Sequence, residues 1–298
     1  MKKEFSELIQ LDLNQKYIDY LQNKGLSLSK EFHETNLIDR EEKIYKKICN
    51  LSIEELKGYA NPYYIGFGNP NSKILVIGKE KAFNPSNISL LIKESINNYS
   101  QWNQIITNKL FNFSGIKTLN LLGFNPLLPT LFHERLIKRN HTWCITNFLT
   151  RNLYATSPIR TNNDPRSVES LFENCFLTEL NHIPSTYHEG SGLCEERKQI
   201  LHNEFFKTFP IVIFSAKSYL KSNFSIVEDL FNVQYYESVS VGTIGKKRPR
   251  ELTIDILRSQ NQNVFVCNQL SGASGWSNEA LNKFSETINK FQKVGYGT

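Results

Sequence analysis

Three polar side chains in this sequence stand where a sheet could present them to a ligand. Glu80, Asn147 and Asn268 each come at or just after the end of a short apolar run. In an open parallel sheet, ligands bind beyond the carboxyl ends of the strands, so we expect these side chains at one edge. Each also has an ordinary structural explanation, because a Glu after a strand often caps a helix and an Asn often supports a turn. Taken together, they predict a ligand site made of one carboxylate and two amides.

Four apolar runs predict the strands that would position this site: Lys73–Gly78, Thr142–Asn147, Pro210–Ser215 and Asn263–Cys267. Continuous apolar strands are typical of a parallel sheet that helices cover on both faces. The segments between the runs contain helix-like patterns, for example at 195–209 and 279–291. The sequence therefore predicts an α/β fold, a three-layer α/β/α sandwich with a central four-stranded, mostly parallel sheet.

A helical N-terminal extension is predicted before this domain. Residues 1–65 are rich in polar residues, and Ser52-x-x-Glu55 is a capping-box pattern. We expect this extension to pack on an α/β domain at 66–298. Within the domain, the segment 157–192 is rich in Asn, Pro, Ser and Gly, which predicts a long loop or insertion with a little helix inside it.

The composition argues against several other classes of protein. The 298 residues carry a formal charge of +6, which permits a nucleic-acid partner without requiring one. The five cysteines are odd in number and form no C-x-x-C pair, so we expect neither a disulfide framework nor a zinc or iron–sulfur site made of cysteines. No Walker A, H-E-x-x-H or G-x-S-x-G motif occurs. The apolar stretches are too short for a membrane span and no signal-peptide pattern is present, so a cytoplasmic protein is expected.

The order and spacing of four motifs resemble the uracil-DNA glycosylase superfamily. Gly78-Lys79-Glu80 is similar to its first motif, Gly-x-Asp/Glu/Asn/Ala, and Ile145-Thr146-Asn147-Phe148-Leu149-Thr150 is similar to its middle motif, Ile-Thr-Asn-Val-Val-Lys. Asn268-Gln269-Leu270-Ser271-Gly272 resembles the Asn-Pro-Ser-Gly form of the last motif, with Gln for Pro and Leu for Ser. Phe214-Ser215-Ala216-Lys217 also fits the family's order. The resemblance covers about residues 60–292.

This resemblance implies a monofunctional DNA glycosylase that hydrolyses an N-glycosidic bond, leaves an abasic site and works without a metal or cofactor. The reaction produces an oxocarbenium-like sugar and an anionic base. Glu80 would stabilise the cation and position a water, as carboxylates do in glycoside hydrolysis. Asn268 would donate to the departing base. Asn147 would read the Watson–Crick edge of a flipped pyrimidine, because an amide offers a donor and an acceptor together.

A departure from the family pattern bears on the substrate. Uracil-specific members often contain Gly-Gln-Asp-Pro-Tyr-His, in which the Tyr excludes a substituent at C5 of the base. Here Ala82 stands at the Tyr position, and Lys81 stands at the Pro position. The small side chain predicts a pyrimidine with a bulky C5 group, such as hydroxymethylated or glucosylated cytosine in phage DNA. Phe83, as a stacking residue, and Lys79 complete the expected base-binding set. In accepting a bulky C5 group, the protein would be similar to glycosylases used in phage defence.

Contacts with double-stranded DNA are expected from the last motif and from basic residues. Leu270 is the first candidate for the apolar wedge that props open the duplex, Trp276 is the second, and Ser271 lies in the same loop. Phosphate contacts are expected from five basic residues: Lys246, Lys247, Arg248, Arg250 and Arg151. The protein is expected to act as a monomer.

Other functions fit the same residues. The chain could be a catalytically weak or inactive protein of this fold that binds modified DNA, since Gln269 and Leu270 depart from the last motif. It could be a classical uracil-DNA glycosylase. It could also be a different α/β enzyme that acts on a nucleotide or a sugar phosphate, with the turn at Gly78 around the phosphate.

Overall fold

The computed structural model describes residues 1–26, 28, 30–80, 87–110, 125–127, 142–154, 169–184, 193–220, 223–244, 250–271 and 274–294. The chain divides into two compact units. The first unit comprises Met1–Phe67, Glu80–Phe132 and Glu179–Phe205, and the second comprises Gly68–Lys79, His133–Thr178 and Phe206–Thr298. The N-terminal segment 1–65 therefore belongs to a unit that also takes in two later parts of the chain.

Thirteen α-helices lie in the described residues: α1 Lys3–Gln10, α2 Leu13–Asn23, α3 Leu37–Ile48, α4 Ile53–Gly58, α5 Ile88–Leu91, α6 Asn98–Thr107, α7 Thr142–Tyr154, α8 Glu169–Asn174, α9 Glu195–Leu201, α10 Glu204–Lys207, α11 Lys217–Leu220, α12 Ser225–Phe231 and α13 Asn278–Val294. A π-helical turn, Ile92–Ile96, joins α5 to α6. The predicted capping box is confirmed at α4, where the Ser52 hydroxyl accepts from the Glu55 N–H and the Glu55 carboxylate accepts from the Ser52 N–H. Helices predicted at 195–209 and 279–291 are present as α9, α10 and α13.

Aromatic packing and one buried cation organise the first unit. The ring of Phe5 lies 5.0 Å from Trp102 and 4.7 Å from Phe205, measured between ring centroids. Arg197 is fully buried, and its guanidinium lies 4.1 Å from the centroid of the Tyr64 ring. Its Nε donates to the Glu179 carbonyl at 3.0 Å, and Nη1 donates to the Tyr64 carbonyl. Arg197 thus joins two separate stretches of the first unit, Met1–Phe67 and Glu179–Phe205.

The described residues form one seven-stranded sheet, which lies almost entirely in the second unit: β1 Phe67–Gly68, β2 Ile74–Gly78, β3 Cys175–Glu179, β4 Ile211–Phe214, β5 Gln234–Ile244, β6 Arg250–Arg258 and β7 Asn263–Val266. Their order is β1-β3-β2-β4-β7-β6-β5. The central strands β2, β4 and β7 are parallel, whereas β6 runs antiparallel to both β7 and β5. The fold is mixed α/β, as predicted, but the prediction of a four-stranded sheet was wrong.

The strand predicted at Thr142–Asn147 was also wrong, because this segment begins helix α7. Ile145 and Leu149 are buried one helical turn apart, and the Thr146 hydroxyl donates to the Thr142 carbonyl four residues earlier. Helix α7 packs against α8 and α13. A short apolar run does not by itself distinguish a buried strand from a buried helix face. On the side of β2 away from β4 lies β3, which is inside the segment predicted as a long loop.

Candidate functional site at the carboxyl edge of the sheet

The carboxyl ends of β2, β4 and β7 lie side by side at one edge of the sheet. Ser215, directly after β4, donates from its backbone N–H to the Ile77 carbonyl of β2 at 2.8 Å. Cys267, directly after β7, donates to the Phe214 carbonyl of β4 at 3.0 Å. This edge therefore holds Lys79 after β2 and Asn268 after β7, with the end of β4 between them. Both residues were predicted at strand ends, and both are half-buried.

Lys217, which was not among the residues predicted for the site, also lies at this edge. Its backbone N–H donates to the Cys267 carbonyl at 3.1 Å, which places the start of α11 beside the end of β7. Its Nζ lies 2.9 Å from the Thr253 hydroxyl and 2.6 Å from Oδ2 of Asp255, both on β6. Because β7 lies between β4 and β6, the Lys217 side chain passes over the end of β7, where Asn268 follows.

Asp255 continues a chain of polar contacts toward the outer strand. Its carboxylate is buried, and Oδ1 accepts from the Ser238 hydroxyl on β5. The Ser238 oxygen lies 3.1 Å from the hydroxyl of Tyr235, which is exposed. The four side chains of Lys217, Asp255, Ser238 and Tyr235 thus connect the carboxyl edge of the sheet to its last strand. Cys267, beside them, is fully buried, and burial raises the pKa of its thiol.

Lys79 occupies the same edge on the other side of β4. Its Nζ lies 5.2 Å from the centroid of the Tyr219 ring on α11, which is a favourable distance for a cation over an aromatic face. Helix α11 therefore helps to position both lysines, since Lys217 is its first residue and Tyr219 contacts Lys79. Glu80 follows Lys79 directly and is half-buried. The predicted base-pocket residues Ala82 and Phe83 lie outside the described residues.

The last-motif loop, Asn268–Trp276, is anchored by its apolar side chains. Leu270 is fully buried, so in this conformation it does not offer the wedge that was predicted. Trp276 is half-buried, its indole N–H donates to the Gln269 carbonyl at 3.0 Å, and its ring stacks on Phe284 at 5.7 Å. Ser271 is half-buried, and its carbonyl accepts from the Ser274 N–H. Of Leu270 and Trp276, it is Trp276 that retains solvent exposure.

The last-motif loop also lies against the end of the β5–β6 hairpin. Gly275 has φ 73°, and a Cβ at this position would come within 2.9 Å of Cγ2 of Ile244. Ile244 pairs with Arg250, which is exposed at the start of β6. The structure thus brings Arg250 to the same side of the second unit as Ser271 and Trp276. Three other residues that were predicted to contact phosphates, Lys246, Lys247 and Arg248, lie outside the described residues.

Asn147 is not at the carboxyl edge of a strand. It is buried on α7, and its carbonyl accepts from the Thr150 hydroxyl at 3.3 Å. Arg151 follows on the same helix, and its side chain is outside the described part of the chain. The amide that does follow a strand beside β2 is Asn181, two residues after β3. Its signal in the sequence was a short apolar run, Cys175–Thr178, followed at once by polar residues.

Asn181 and the next residue, His182, are buried in the first unit. The Asn181 side-chain oxygen accepts from the Ile183 N–H at 3.1 Å. His182 Nε2 lies 3.4 Å from the Tyr20 hydroxyl, and Nδ1 lies 3.6 Å from Sγ of Cys194. Burial, followed by the charges of Arg197 and Lys24, lowers the pKa of His182 from 6.5 to about 3. The imidazole is therefore neutral at physiological pH.

Among the residues that the structure describes, no group of three His, Cys, Asp or Glu side chains could hold a metal ion, and all five cysteines are free thiols. No helix in the described ranges has the length and apolar character needed to cross a bilayer. No protein-family model, curated protein or solved structure matches this chain.

Proposed function

We propose that this chain is a monofunctional DNA glycosylase that removes a flipped, C5-modified pyrimidine, such as hydroxymethylated or glucosylated cytosine. The observation that carries the proposal is the carboxyl edge of β2, β4 and β7, which leads into Gly78-Lys79-Glu80 on one side and Asn268–Ser271 on the other. Ligands of open α/β sheets bind at such an edge. The proposal includes a three-layer arrangement of the α/β part, a monomeric protein in the cytoplasm and double-stranded DNA as partner.

The proposed reaction is hydrolysis at C1′ of the sugar. The C1′–N1 bond breaks and its electron pair goes to the base, while a water oxygen bonds to C1′ and its proton passes to the Glu80 carboxylate. The same carboxylate stabilises the oxocarbenium character of the sugar. The Asn268 amide donates to the base as negative charge develops on it, and the base finally takes up one proton. No metal or redox step is required.

We keep Asn147, the amide of the middle motif, as the residue that recognises the base edge. It lies in the second unit, as Asn268 does. A side-chain amide can match the donor and acceptor of a pyrimidine edge. The predicted C5 selectivity remains with Ala82, since a small side chain leaves space beside C5 of the base.

The proposed DNA contact surface consists of Arg250, Ser271 and Trp276. Arg250 is exposed beside the last-motif loop, where a guanidinium can contact phosphates independently of sequence. The Ser271 hydroxyl can add a neutral phosphate contact. Trp276 replaces Leu270 as the wedge, because Leu270 lies in the core.

The decisive experiment compares Glu80→Gln with the wild-type protein on DNA that contains hydroxymethylcytosine, glucosylated hydroxymethylcytosine or uracil. Mass spectrometry of released bases is the measurement, with DNA affinity measured in parallel. We expect the variant to lose base release by several orders of magnitude and to keep its affinity for DNA. Glu279→Gln, an identical change at an exposed position of α13, is the control and should keep full activity.

Two results would replace the proposed function. Tight binding of modified DNA without any base release by the wild-type protein would identify a binding protein of this fold. Release of uracil alone, with no activity on any C5-modified cytosine, would identify a classical uracil-DNA glycosylase. Near-normal turnover in Glu80→Gln would remove Glu80 from the mechanism.

A further inference from the structure

The contacts of Lys217 hold a cation beside the residue that is proposed to meet the departing base. Its backbone N–H is bonded to the carbonyl of Cys267, the residue before Asn268. Its side chain then passes over the end of β7 to reach Thr253 and Asp255. Thr253 and Asp255 are two residues apart on β6, so both present their side chains on one face of that strand.

The Lys217 ammonium has donor capacity that these contacts do not use. An ammonium group has three N–H donors, and Thr253 and Asp255 are its two side-chain partners among the described residues. The Lys217 side chain is 28% exposed, whereas that of Asp255 is 7% exposed. Asp255 is itself held by the Ser238 hydroxyl, so the pair keeps the ammonium in one place before any ligand arrives. Preorganised donors of this kind stabilise charge that develops in a transition state.

The proposed reaction has a need that Asn268 alone meets weakly. Negative charge accumulates on the pyrimidine as the C1′–N1 bond breaks, and a neutral amide donates a weaker hydrogen bond to an anion than a charged group does. Lys79 is a second cation at this edge, and its ammonium faces the Tyr219 ring. Lys217, in contrast, is hydrogen-bonded through its backbone to Cys267, the residue before the last motif.

We propose that Lys217 is a further catalytic residue, whose third N–H binds the carbonyl oxygen of the departing pyrimidine. This inference rests on the proposed glycosylase function. The electron pair of the C1′–N1 bond moves into the base, and the ammonium stabilises the resulting anion without itself losing a proton. The proton that the attacking water releases to Glu80 balances the proton that the base takes up from solvent after release. Lys217 thus supplies the charge that the last motif lacks.

The test is the dependence of the rate on how readily the base leaves. Single-turnover base release is measured for two pairs of substrates: hydroxymethylcytosine with formylcytosine, and uracil with 5-fluorouracil. The electron-withdrawing member of each pair leaves as a more stable anion and needs less help. We expect Lys217→Met to reduce release of the poorer leaving group about 10²–10³-fold, the usual effect of removing one such donor, and to reduce release of the better one much less.

Two further variants keep the test valid if the single variant is unstable. Lys217→Met leaves the Asp255 carboxylate buried without its cation, which can destabilise a protein strongly. The double variant Lys217→Met/Asp255→Leu removes the buried charge as well and should show the same dependence on the leaving group. Lys217→Arg keeps a cation and should recover part of the rate. Lys283→Met, on the exposed face of α13, removes one positive charge elsewhere and should match the wild type.

The outcomes separate the inference from the proposed function. A loss that is equal for both members of each pair, or a loss confined to DNA affinity and its salt dependence, would make Lys217 a structural or phosphate-contacting residue and overturn the inference alone. Unchanged rates in the folded double variant would overturn it as well. Absence of base release by the wild-type protein from all four substrates and from DNA with glucosylated hydroxymethylcytosine would overturn the proposed function, and the role of Lys217 with it.

Discussion

His182 illustrates how burial alters the chemistry of a single residue. Its ring lies between the Tyr20 hydroxyl and the Cys194 thiol in the first unit, and its pKa is lowered to about 3 from an ordinary value of 6.5. The folded protein therefore contains His182 in its neutral form. In the unfolded chain the same imidazole takes up a proton near pH 6.5.

This difference predicts an acid-sensitive first unit. The stabilising contribution of neutral His182 is fully present above pH 6.5 and is lost as the pH falls toward 3, because only the unfolded chain gains a proton in that interval. We expect the wild-type protein to lose up to about 1.4 kcal/mol of unfolding free energy per pH unit relative to His182→Gln. Urea unfolding of both proteins between pH 7 and 4 measures the difference. Parallel pH profiles would contradict it.

The candidate site was partly predictable at the residue scale. The positions of Lys79, Glu80 and Asn268 after central parallel strands were predicted correctly, because each follows a continuous apolar run. Lys217 was not assigned a role, because its importance depends on contacts with β6, which the sequence does not indicate. Asn147 was misplaced because a buried helix face and a buried strand have the same composition over six residues.

At the scale of elements, the β5–β6 hairpin is a part of the fold that was not predicted from the sequence. Along β5, polar and apolar residues are mixed, and most of them are at least partly exposed, so no continuous apolar run marks the strand. The central strands β2, β4 and β7 are buried, and their continuous apolar runs predict them correctly from the sequence. The hairpin adds two antiparallel strands to them, which makes the sheet mixed.

The hairpin also carries a prediction about DNA binding. Arg250 begins β6, is exposed, and pairs with Ile244 beside the last-motif loop. If it contacts one phosphate, Arg250→Gln should reduce the slope of log affinity against log salt by about 0.9. Affinity for modified duplex DNA at several salt concentrations is the measurement, with Lys283→Gln as a control of equal charge. An unchanged slope for Arg250→Gln would exclude the hairpin contact.

At the scale of the whole molecule, Arg197 connects stretches of the first unit that are far apart in sequence. Its guanidinium donates to carbonyls of Tyr64 and Glu179 and lies over the Tyr64 ring, within the core. Replacement by Met would leave these carbonyls buried without donors, at about 1–3 kcal/mol for each.

We therefore expect Arg197→Met to lower the unfolding free energy by about 2–5 kcal/mol. Lys46→Met, which breaks an exposed ion pair with Glu42, should change it by less than about 1 kcal/mol. Urea unfolding followed by tryptophan fluorescence reports on the first unit through buried Trp102. Equal effects of the two substitutions would show that Arg197 contributes only as a surface cation would.

The order of the strands in the sheet has a consequence for how the protein is made. Strand β2 is complete at residue 78, but its neighbours β3 and β4 begin only at residues 175 and 211, and β7 begins at residue 263. A nascent chain that emerges from the ribosome therefore carries an apolar strand without partners until β3 has been synthesised. Long-range pairing of this kind folds slowly and exposes aggregation-prone segments. The edge that holds Lys79, Lys217 and Asn268 can assemble only near the end of translation, so chaperone binding to the segment around β2 would protect the chain until then.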